Sequence, residues 1–326
     1  MTSLRESLRS RWHLLLTALV CAGLVLVAPG AAHARQQTRD ASCFGAAALD
    51  PGASCPSGTT YLGPGPEKAA QDYSAAYDVR ANGEDCWSRR PLFPLTRCHF
   101  GARHGKVKVV LAGNSHAGQW LPALQRIAKR RHWRITTELA SQCVLAVVTQ
   151  MFPDEAARGR CRSWSRHTAV RIRHEHPDLI VFANRMSLPA YGHTLATSVR
   201  TYARGIARVF RQWRGIPVVL LRDTPAPGQA GISVPACLMG HPDDHAACNG
   251  TRGTWMSPDP GVLAAKRFAN VRKVNLNDHI CRRRVCQAVV GGVIPYFDGS
   301  HLTATYARTL TPYLEPPLRK ALRRHR

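Results

Sequence analysis

The chain has 326 residues, of which 44% are hydrophobic, and its 45 Lys and Arg against 20 Asp and Glu give a formal net charge of +25. This length allows one large α/β domain with an appendage or two modest domains, and the apolar content excludes a wholly disordered chain. The charge predicts attraction to polyanions. No nucleic-acid-binding motif and no aromatic-basic array occurs, so nucleic acid is not an expected partner.

Residues 1–34 have the layout of a secretory signal peptide. Three arginines precede an apolar run between Leu14 and about Val27, and small residues follow as far as Ala34. This pattern predicts cleavage after Ala34, with an uncleaved membrane anchor as the alternative. We therefore expect an exported protein that is secreted, associated with the cell wall or held at the outer face of the membrane. Its positive charge would then meet anionic wall polymers or lipid headgroups, or remain a solvated surface without a specific partner.

Ten cysteines follow the predicted signal peptide. An even number in an exported chain predicts disulfides, although the sequence permits many connectivities. We expect pairing between nearest neighbours because each pair closes a short loop. This gives Cys43–Cys55, Cys86–Cys98, Cys143–Cys161, Cys237–Cys248 and Cys281–Cys286. Their spacings match no closed Cys/His zinc site, so no metal is expected.

The composition and the hydrophobic pattern of the sequence change at Lys106. Residues 35–105 are rich in Gly, Pro, Ser and Ala, which predicts a loop-rich, disulfide-stapled N-terminal extension. Strands and helices then alternate over residues 106–326, which predicts a flavodoxin-like three-layer α/β/α sandwich with a mainly parallel five-stranded sheet. The predicted strands are Lys106–Ala112, Trp133–Leu139, Asp178–Ala183, Pro217–Arg222 and Val271–Asn275, and the predicted helices are Gln119–Arg131, Arg158–His174, Thr194–Trp213, Pro260–Phe268 and one that starts at Ser300.

The segment from Val109 to Trp120 places a serine at a strand-to-helix junction. The apolar strand stops at Gly113, and the next helix begins at once, with Ser115 between them. Ligands of open α/β sheets bind at the carboxyl ends of strands, where the first helical amides are also unpaired. Ser115 is therefore a candidate nucleophile with an oxyanion donor beside it, and a helix-capping serine is the alternative.

A second segment, Phe297–Leu302, supplies a candidate base. Asp298 precedes His301 by three residues, so that on a turn the carboxylate could hold the imidazole and fix its tautomer. The alternative is that Asp298 caps the final helix and His301 lies on its surface.

These two segments resemble the SGNH (GDSL-like) hydrolase superfamily. The likeness is greater to the SGNH domain fused to bacterial membrane acyltransferase-three proteins, which O-acylate cell-surface sugars, and it spans about residues 106–326. In that family the first motif reads Gly-Asp-Ser-His and the last reads Asp-x-x-His-Leu. The resemblance implies that Ser115 is the nucleophile, His301 the general base and Asp298 its orienting partner. Asn114 replaces the family's aspartate, at a position that is implied to brace the turn.

The superfamily's oxyanion hole adds a glycine amide and an asparagine side chain to the amide of the serine. Asn184, at the end of the third predicted strand, stands where the asparagine is expected. The adjacent Arg185 is the alternative functional group, with Asn184 then only a turn residue. Residues 140–143 contain no glycine, and the amide of Ser141 or Gln142 is expected to serve instead.

Two further polar residues flank the predicted site. His116 should diverge in direction from Ser115, so we expect it to brace the turn or to touch the acyl donor rather than to act as the base. Asp223 follows the fourth predicted strand and is interpreted as a loop anchor, because Asp298 is much closer to His301 in the sequence.

The leading functional hypothesis is serine-dependent acyl chemistry, without a cofactor, on exported or wall-associated carbohydrate. The acyl group would pass to water in an esterase or to a sugar hydroxyl in an O-acyltransferase, and these outcomes depend on whether water is excluded. Transfer would need an outside acyl donor, such as a separate membrane protein. The alternative is a catalytically inactive SGNH-fold module that binds carbohydrate or wall polymer.

Overall fold

A six-stranded sheet lies at the centre of this computed structural model, which describes residues 41–55, 60–78 and 85–323. The predicted signal peptide lies outside these residues. The strands are β1 Cys98–Gly101, β2 Val107–Asn114, β3 Trp133–Ala140, β4 Leu179–Ala183, β5 Val218–Leu221, β6 Gly250–Thr251, β7 Val271–Val274, β8 Cys281–Arg282 and β9 Val285–Cys286. The helices are α1 Pro66–Ala69, α2 Ser115–Gly118, α3 Leu121–Arg131, α4 Glu155–Glu175, α5 Val199–Gln212, α6 Val234–Gly240, α7 Arg252–Trp255, α8 Pro260–Ala265, α9 Ala304–Thr309 and α10 Thr311–Arg323.

The sheet order is β1-β3-β2-β4-β5-β7, and the last five strands are parallel. The five predicted strands and their parallel arrangement are confirmed, and this order is the flavodoxin-like one. The sheet also has a sixth strand that was not predicted. β1 comes from the predicted loop-rich extension and pairs antiparallel with β3 at the sheet edge. With four residues, it is too short to show a period of two in the sequence.

Helices cover both faces of the sheet, which confirms the three-layer architecture. The strand β4 is buried along its whole length, as its uninterrupted apolar sequence requires. Side chains of α3, α9 and α10 pack with Val109 and Leu111 of β2 on one face. Those of α4 and α5 pack with Val110 and Ala112 on the other face. None of the described helices combines the length and the apolar character needed to span a membrane.

The N-terminal residues pack directly against the sheet and against α4. The amide of Ser88 donates to the carbonyl of Leu139 over 2.9 Å, and the indole of Trp164 donates to the hydroxyl of Ser88 over 3.1 Å. Five disulfides follow the predicted nearest-neighbour pairing, namely Cys43–Cys55, Cys86–Cys98, Cys143–Cys161, Cys237–Cys248 and Cys281–Cys286. Those at Cys43–Cys55 and Cys86–Cys98 staple the N-terminal region.

The parallel strand order reverses between β2 and β4. The chain passes from β2 to β3 on one side and then returns to β4 on the other side. Because the two connections diverge there, a crevice opens beyond the carboxyl ends of these strands. Ser115 follows β2 and Asn184 follows β4, so both stand at this reversal point.

Candidate active site

The turn that carries Ser115 needs a glycine before it. Gly113 has a φ of +145°, and a Cβ atom there would lie 1.8 Å from the carbonyl oxygen of Ala183 in the adjacent strand. Any larger residue would push β2 away from β4. Ser115 is the first residue of α2, so its amide has no acceptor within the helix.

Asn114 braces this turn with both ends of its carboxamide. Its Oδ1 accepts hydrogen bonds from the amides of His116 and Arg185, each over 3.1 Å, and its Nδ2 donates to the carbonyl of Arg185 over 2.8 Å. The side chain thereby joins the end of β2 to the end of β4. This geometry accords with the bracing role implied for Asn114, and it leaves the carboxamide committed to the protein.

Asp298 and His301 form the predicted carboxylate–imidazole couple. His301 Nδ1 lies 2.7 Å from Asp298 Oδ2, while Asp298 Oδ1 accepts from the amides of Ser300 and His301, each over 2.7 Å. Burial alone would raise the pKa of Asp298, but these hydrogen bonds outweigh it and hold the pKa below its usual value. An ionised Asp298 fixes the proton on Nδ1 of His301. The other nitrogen, Nε2, is buried and has no hydrogen-bond partner among the described residues.

Gln119 ties the serine turn to the histidine turn. Its Nε2 donates to the carbonyl of His116 and to the hydroxyl of Thr224, each over 3.2 Å. Its Oε1 accepts from the amide of Leu302 over 2.9 Å. One fully buried side chain therefore joins α2, the end of β5 and the segment that carries His301. The sequence offered no signal for this role, because Thr224 and Leu302 lie 105 and 183 residues from Gln119 in the chain.

Tyr77 connects the N-terminal region to the same place. Its hydroxyl donates to the carbonyl of Ser115 over 2.6 Å, and its ring centroid lies 6.1 Å from that of His301. The ring of Phe297 stacks on His301 at 5.4 Å. The imidazole of His301 also lies 4.7 Å, between ring centroids, from that of His116, the residue after Ser115. The structure thus brings the two predicted segments to one edge of the sheet.

Asn184 has one satisfied and one unsatisfied polar atom. Its Oδ1 accepts from the amide of Leu145 over 3.0 Å, whereas its buried Nδ2 has no partner within the described part of the chain. Such an unpaired buried donor is costly unless a ligand uses it. The arrangement favours the oxyanion-donor interpretation of Asn184 over that of a simple turn residue.

The loop after β3 contains a residue in a glycine-like backbone conformation. Gln142 has a φ of +58°, the left-handed conformation that glycine adopts most easily. The amide of Ser141 donates to the carbonyl of Ser88 over 3.0 Å and is therefore committed. No hydrogen bond between described residues uses the amide of Gln142. Of the two amides considered from the sequence, the geometry favours Gln142.

A second carboxylate–imidazole contact lies beside the first. His116 Nδ1 is 2.6 Å from Asp223 Oδ1, and Arg185 Nη1 is 3.4 Å from Asp223 Oδ2. Burial lowers the pKa of His116, and the nearby Asp223 only partly offsets this effect. Asp223 anchors its loop as expected, since its amide donates to Asp259 and its carbonyl accepts from Asn277. Its carboxylate also holds the side chains of His116 and Arg185, a role that the sequence did not reveal.

One cluster in the described residues has side chains of the kinds that bind metals. Ligand atoms of Cys237, His241 and Cys248 lie within 4.8 Å of one another. Because Cys237 and Cys248 are joined by a disulfide, they offer no thiolate to a metal ion. The residues present therefore do not fit a zinc site.

Comparisons with known proteins agree with this architecture. The family model of the SGNH domain fused to AT3 domains matches residues 83–316. Among solved structures, the periplasmic domain of a lipopolysaccharide acetyltransferase from Salmonella ser. Paratyphi A is similar, with a TM-score of 0.51 and 11% sequence identity over 66% of this chain and 84% of that chain. At this identity the likeness concerns the fold alone. A search of curated proteins found no match. Since the family model covers well over half of the sequence, the chain belongs to the family of SGNH domains that are fused to AT3 domains.

Proposed function

We propose that this chain is an exported serine-dependent acyl-transfer enzyme in which Ser115, His301 and Asp298 form the catalytic triad. Membership of the SGNH family supports acyl transfer or ester hydrolysis. The observation that carries the triad is the Asp298–His301 couple, with Nδ1 held at 2.7 Å and Nε2 left without a partner among the described residues, beside the turn of Ser115. An imidazole oriented in this way is a general base with its lone pair available.

In the proposed mechanism, His301 Nε2 takes the proton from the hydroxyl of Ser115 as the oxygen attacks an ester carbonyl. The negative charge that develops on the carbonyl oxygen is stabilised by donors, for which we propose the amides of Ser115 and Gln142 and the Nδ2 of Asn184. The protonated His301 then donates to the leaving alcohol, which leaves an acyl group on Ser115. The acceptor hydroxyl loses its proton to His301 and takes the acyl group in a second step of the same kind.

Carbohydrate is the proposed acceptor or ester substrate. The similar Salmonella domain belongs to a lipopolysaccharide acetyltransferase, so the same architecture occurs in an enzyme that modifies a glycan. Acetyl is accordingly the first acyl group to test. If the chain transfers rather than hydrolyses, an acyl donor from elsewhere, such as a membrane protein, has to supply Ser115.

Export is part of the proposal. Five disulfides within the described residues support folding in an oxidising compartment, because cytosolic proteins seldom keep such bonds. The similar Salmonella domain is periplasmic. The proposed locations are the cell wall, the outer face of the membrane and the surrounding medium.

Labelling and turnover by the full chain test the proposal. A fluorophosphonate probe should label the wild-type chain, and p-nitrophenyl acetate hydrolysis should fall by about 10⁴-fold or more in Ser115→Ala. Ser163→Ala is the matched control, because Ser163 is exposed on α4 and lies outside the candidate site, and it should keep the activity of the wild-type chain. Equal turnover by wild type and Ser115→Ala would refute the triad. Glycan binding without labelling would instead support an inactive binding module.

A further inference from the structure

The outer face of α5 carries a row of arginines without acidic partners. Arg200, Arg204, Arg208 and Arg211 are exposed and follow at intervals of four, four and three residues, so they share one side of the helix. The row is about 16 Å long. The helix contains no Asp or Glu, and within the described part of the chain none of the four arginines forms an ion pair with a carboxylate.

The adjacent helix α4 extends this positive surface. Arg162, Arg166 and Arg173 are exposed on it, and Arg173 Nη1 donates to Oε1 of Gln212 at the end of α5 over 3.4 Å. The two carboxylates of α4, on Glu155 and Glu175, stand at its ends. We call the outer surface of α4 and α5 the arginine face. Like charges on one face repel one another, which costs electrostatic free energy. An anionic partner bound to the arginine face would reduce this repulsion.

Exposed apolar side chains border the arginine face at one end. Met151, Tyr191 and Leu195 have exposed fractions of 37%, 59% and 44%. The first two lie on segments that pair through a bond from the amide of Met151 to the carbonyl of Pro189 and one from the amide of Tyr191 to the carbonyl of Thr149, each over 2.9 Å. The segments precede α4 and α5. They therefore lie at the carboxyl edge of the parallel sheet, the same edge as Ser115.

We propose that the arginine face docks on a bilayer surface rich in anionic phospholipid, with Met151, Tyr191 and Leu195 entering the headgroup layer. Arginines suit phosphate oxygens, and tyrosine suits the boundary between headgroups and acyl chains. The adjoining apolar side chains distinguish this surface from one that meets a soluble polyanion, which would gain nothing from them. Docking in this orientation brings the edge that carries Ser115 near the membrane surface. The inference does not depend on the proposed function.

Hydrogen exchange of the full chain locates the contact. Vesicles that contain phosphatidylglycerol should protect amides in residues 149–151, 187–196 and α5, whereas pure phosphatidylcholine vesicles should not. Arg5, Arg9 and Arg11 beside the apolar N-terminal run also favour anionic lipid, so only protection at these folded segments counts for the proposal. Equal protection by both vesicles, or none at these segments, would overturn the proposal.

Matched charge removals test the arginine face. Substituting Gln at Arg204, Arg208 and Arg211 should weaken binding to phosphatidylglycerol vesicles by about 100-fold at low salt. The control removes three charges from α10, which packs on the opposite face of the sheet, through Gln at Arg319, Lys320 and Arg323. It should change the affinity by less than about threefold. Equal losses from both variants would mean that total charge, not this face, drives binding.

A third variant separates lipid from a soluble polyanion. Tyr191→Ser with Leu195→Ser should weaken vesicle binding and leave binding to dextran sulfate unchanged, because only a bilayer offers an apolar layer. If this variant binds vesicles as tightly as the wild-type chain while the α5 variant loses dextran sulfate binding, the partner is an anionic polymer and the proposal is wrong.

Discussion

At the scale of single residues, the side chain of Asn184 combines two functions that substitution can test separately. Its Nδ2 is the proposed oxyanion donor, and its Oδ1 accepts from the amide of Leu145. We expect Asn184→Asp to lower kcat by about 100- to 1,000-fold with a smaller effect on KM, because the proposed oxyanion loses one donor. The substitution keeps an oxygen that can accept from the amide of Leu145. Steady-state kinetics on p-nitrophenyl acetate measure the change.

The companion variant Asn184→Ala removes both functions. If Asn184 mattered only through its bond to Leu145, Asn184→Asp would stay active and Asn184→Ala would not. Similar, large losses in both variants, with melting temperatures close to that of the wild-type chain for Asn184→Asp, are the expected pattern.

His116 should make the folded chain less stable in acid. Burial lowers its pKa, so below the unfolded value of about 6.5 the unfolded chain binds more protons than the folded chain. The contribution of His116 is therefore fully present above that pH and declines as the pH falls. His116→Asn should make the decrease in unfolding free energy between pH 7.5 and pH 5.5 shallower.

Urea unfolding midpoints at the two pH values measure this effect. The same substitution at His167, which is exposed on α4, controls for the loss of an imidazole elsewhere. Parallel pH slopes for wild type and His116→Asn would contradict the interpretation of His116 as a buried neutral imidazole.

The site contact that the sequence could predict is local, whereas the one that it could not predict joins distant parts of the chain. Asp298 and His301 are three residues apart, so a local spacing could predict their contact. His116 and Asp223 are 107 residues apart by number, and only the tertiary fold shows that they touch. The positive φ of Gln142 was also hidden, because glutamine is not a residue that marks such a conformation in a sequence.

At the scale of elements, the disulfide Cys143–Cys161 holds the loop that supports Asn184. Gln150 reinforces this loop, since its Nε2 lies 2.9 Å from Cys161 Sγ and its Oε1 accepts from the amide of Val144 over 3.1 Å. Replacing both cysteines by Ala should cost about 3 kcal/mol of unfolding free energy. It should also lower kcat, because Leu145 in this loop orients Asn184.

The pair Cys43 and Cys55 provides the matched control. It closes a loop of similar length, with a sequence separation of 12 against 18, and lies outside the candidate site. Its removal should lower the melting temperature without changing kcat below the transition. Unchanged kcat in the Cys143–Cys161 variant would show that this loop does not affect catalysis.

Elements with a long or purely apolar pattern could be predicted, and short ones could not. The residues of β4 are apolar throughout, as expected of a strand buried on both faces. The strand β1 gains its identity from pairing with β3, through registers such as Phe100 with Ile135, and not from its own composition. Fold class and parallel order were therefore accessible from the sequence, whereas the sheet edge was not.

At the scale of the whole molecule, the domain boundary that the sequence predicts at residue 106 remains a prediction. Contacts between residues on its two sides indicate how truncation there should affect folding. The carbonyl of Asp72 accepts from the amide of Ala304 over 2.7 Å, and its Oδ2 accepts from the amide of Thr305 over 2.9 Å. Tyr77 contacts Ser115, and β1 completes the sheet beside β3. These contacts imply that residues before 106 help to form the site.

A chain that starts at Lys106 should therefore fold poorly, whereas one that starts at Arg39 should fold and remain active. The shorter chain loses β1, which pairs with β3, and the Tyr77–Ser115 hydrogen bond, so its melting temperature should fall by more than about 10 °C or its cooperative transition should disappear. Circular dichroism melting and p-nitrophenyl acetate hydrolysis on both chains measure this. If the chain from Lys106 melts cooperatively and turns over like the longer one, the N-terminal region is a separable extension. If only the longer chain does so, the N-terminal region is part of the catalytic unit, because its contacts hold the serine and histidine turns together.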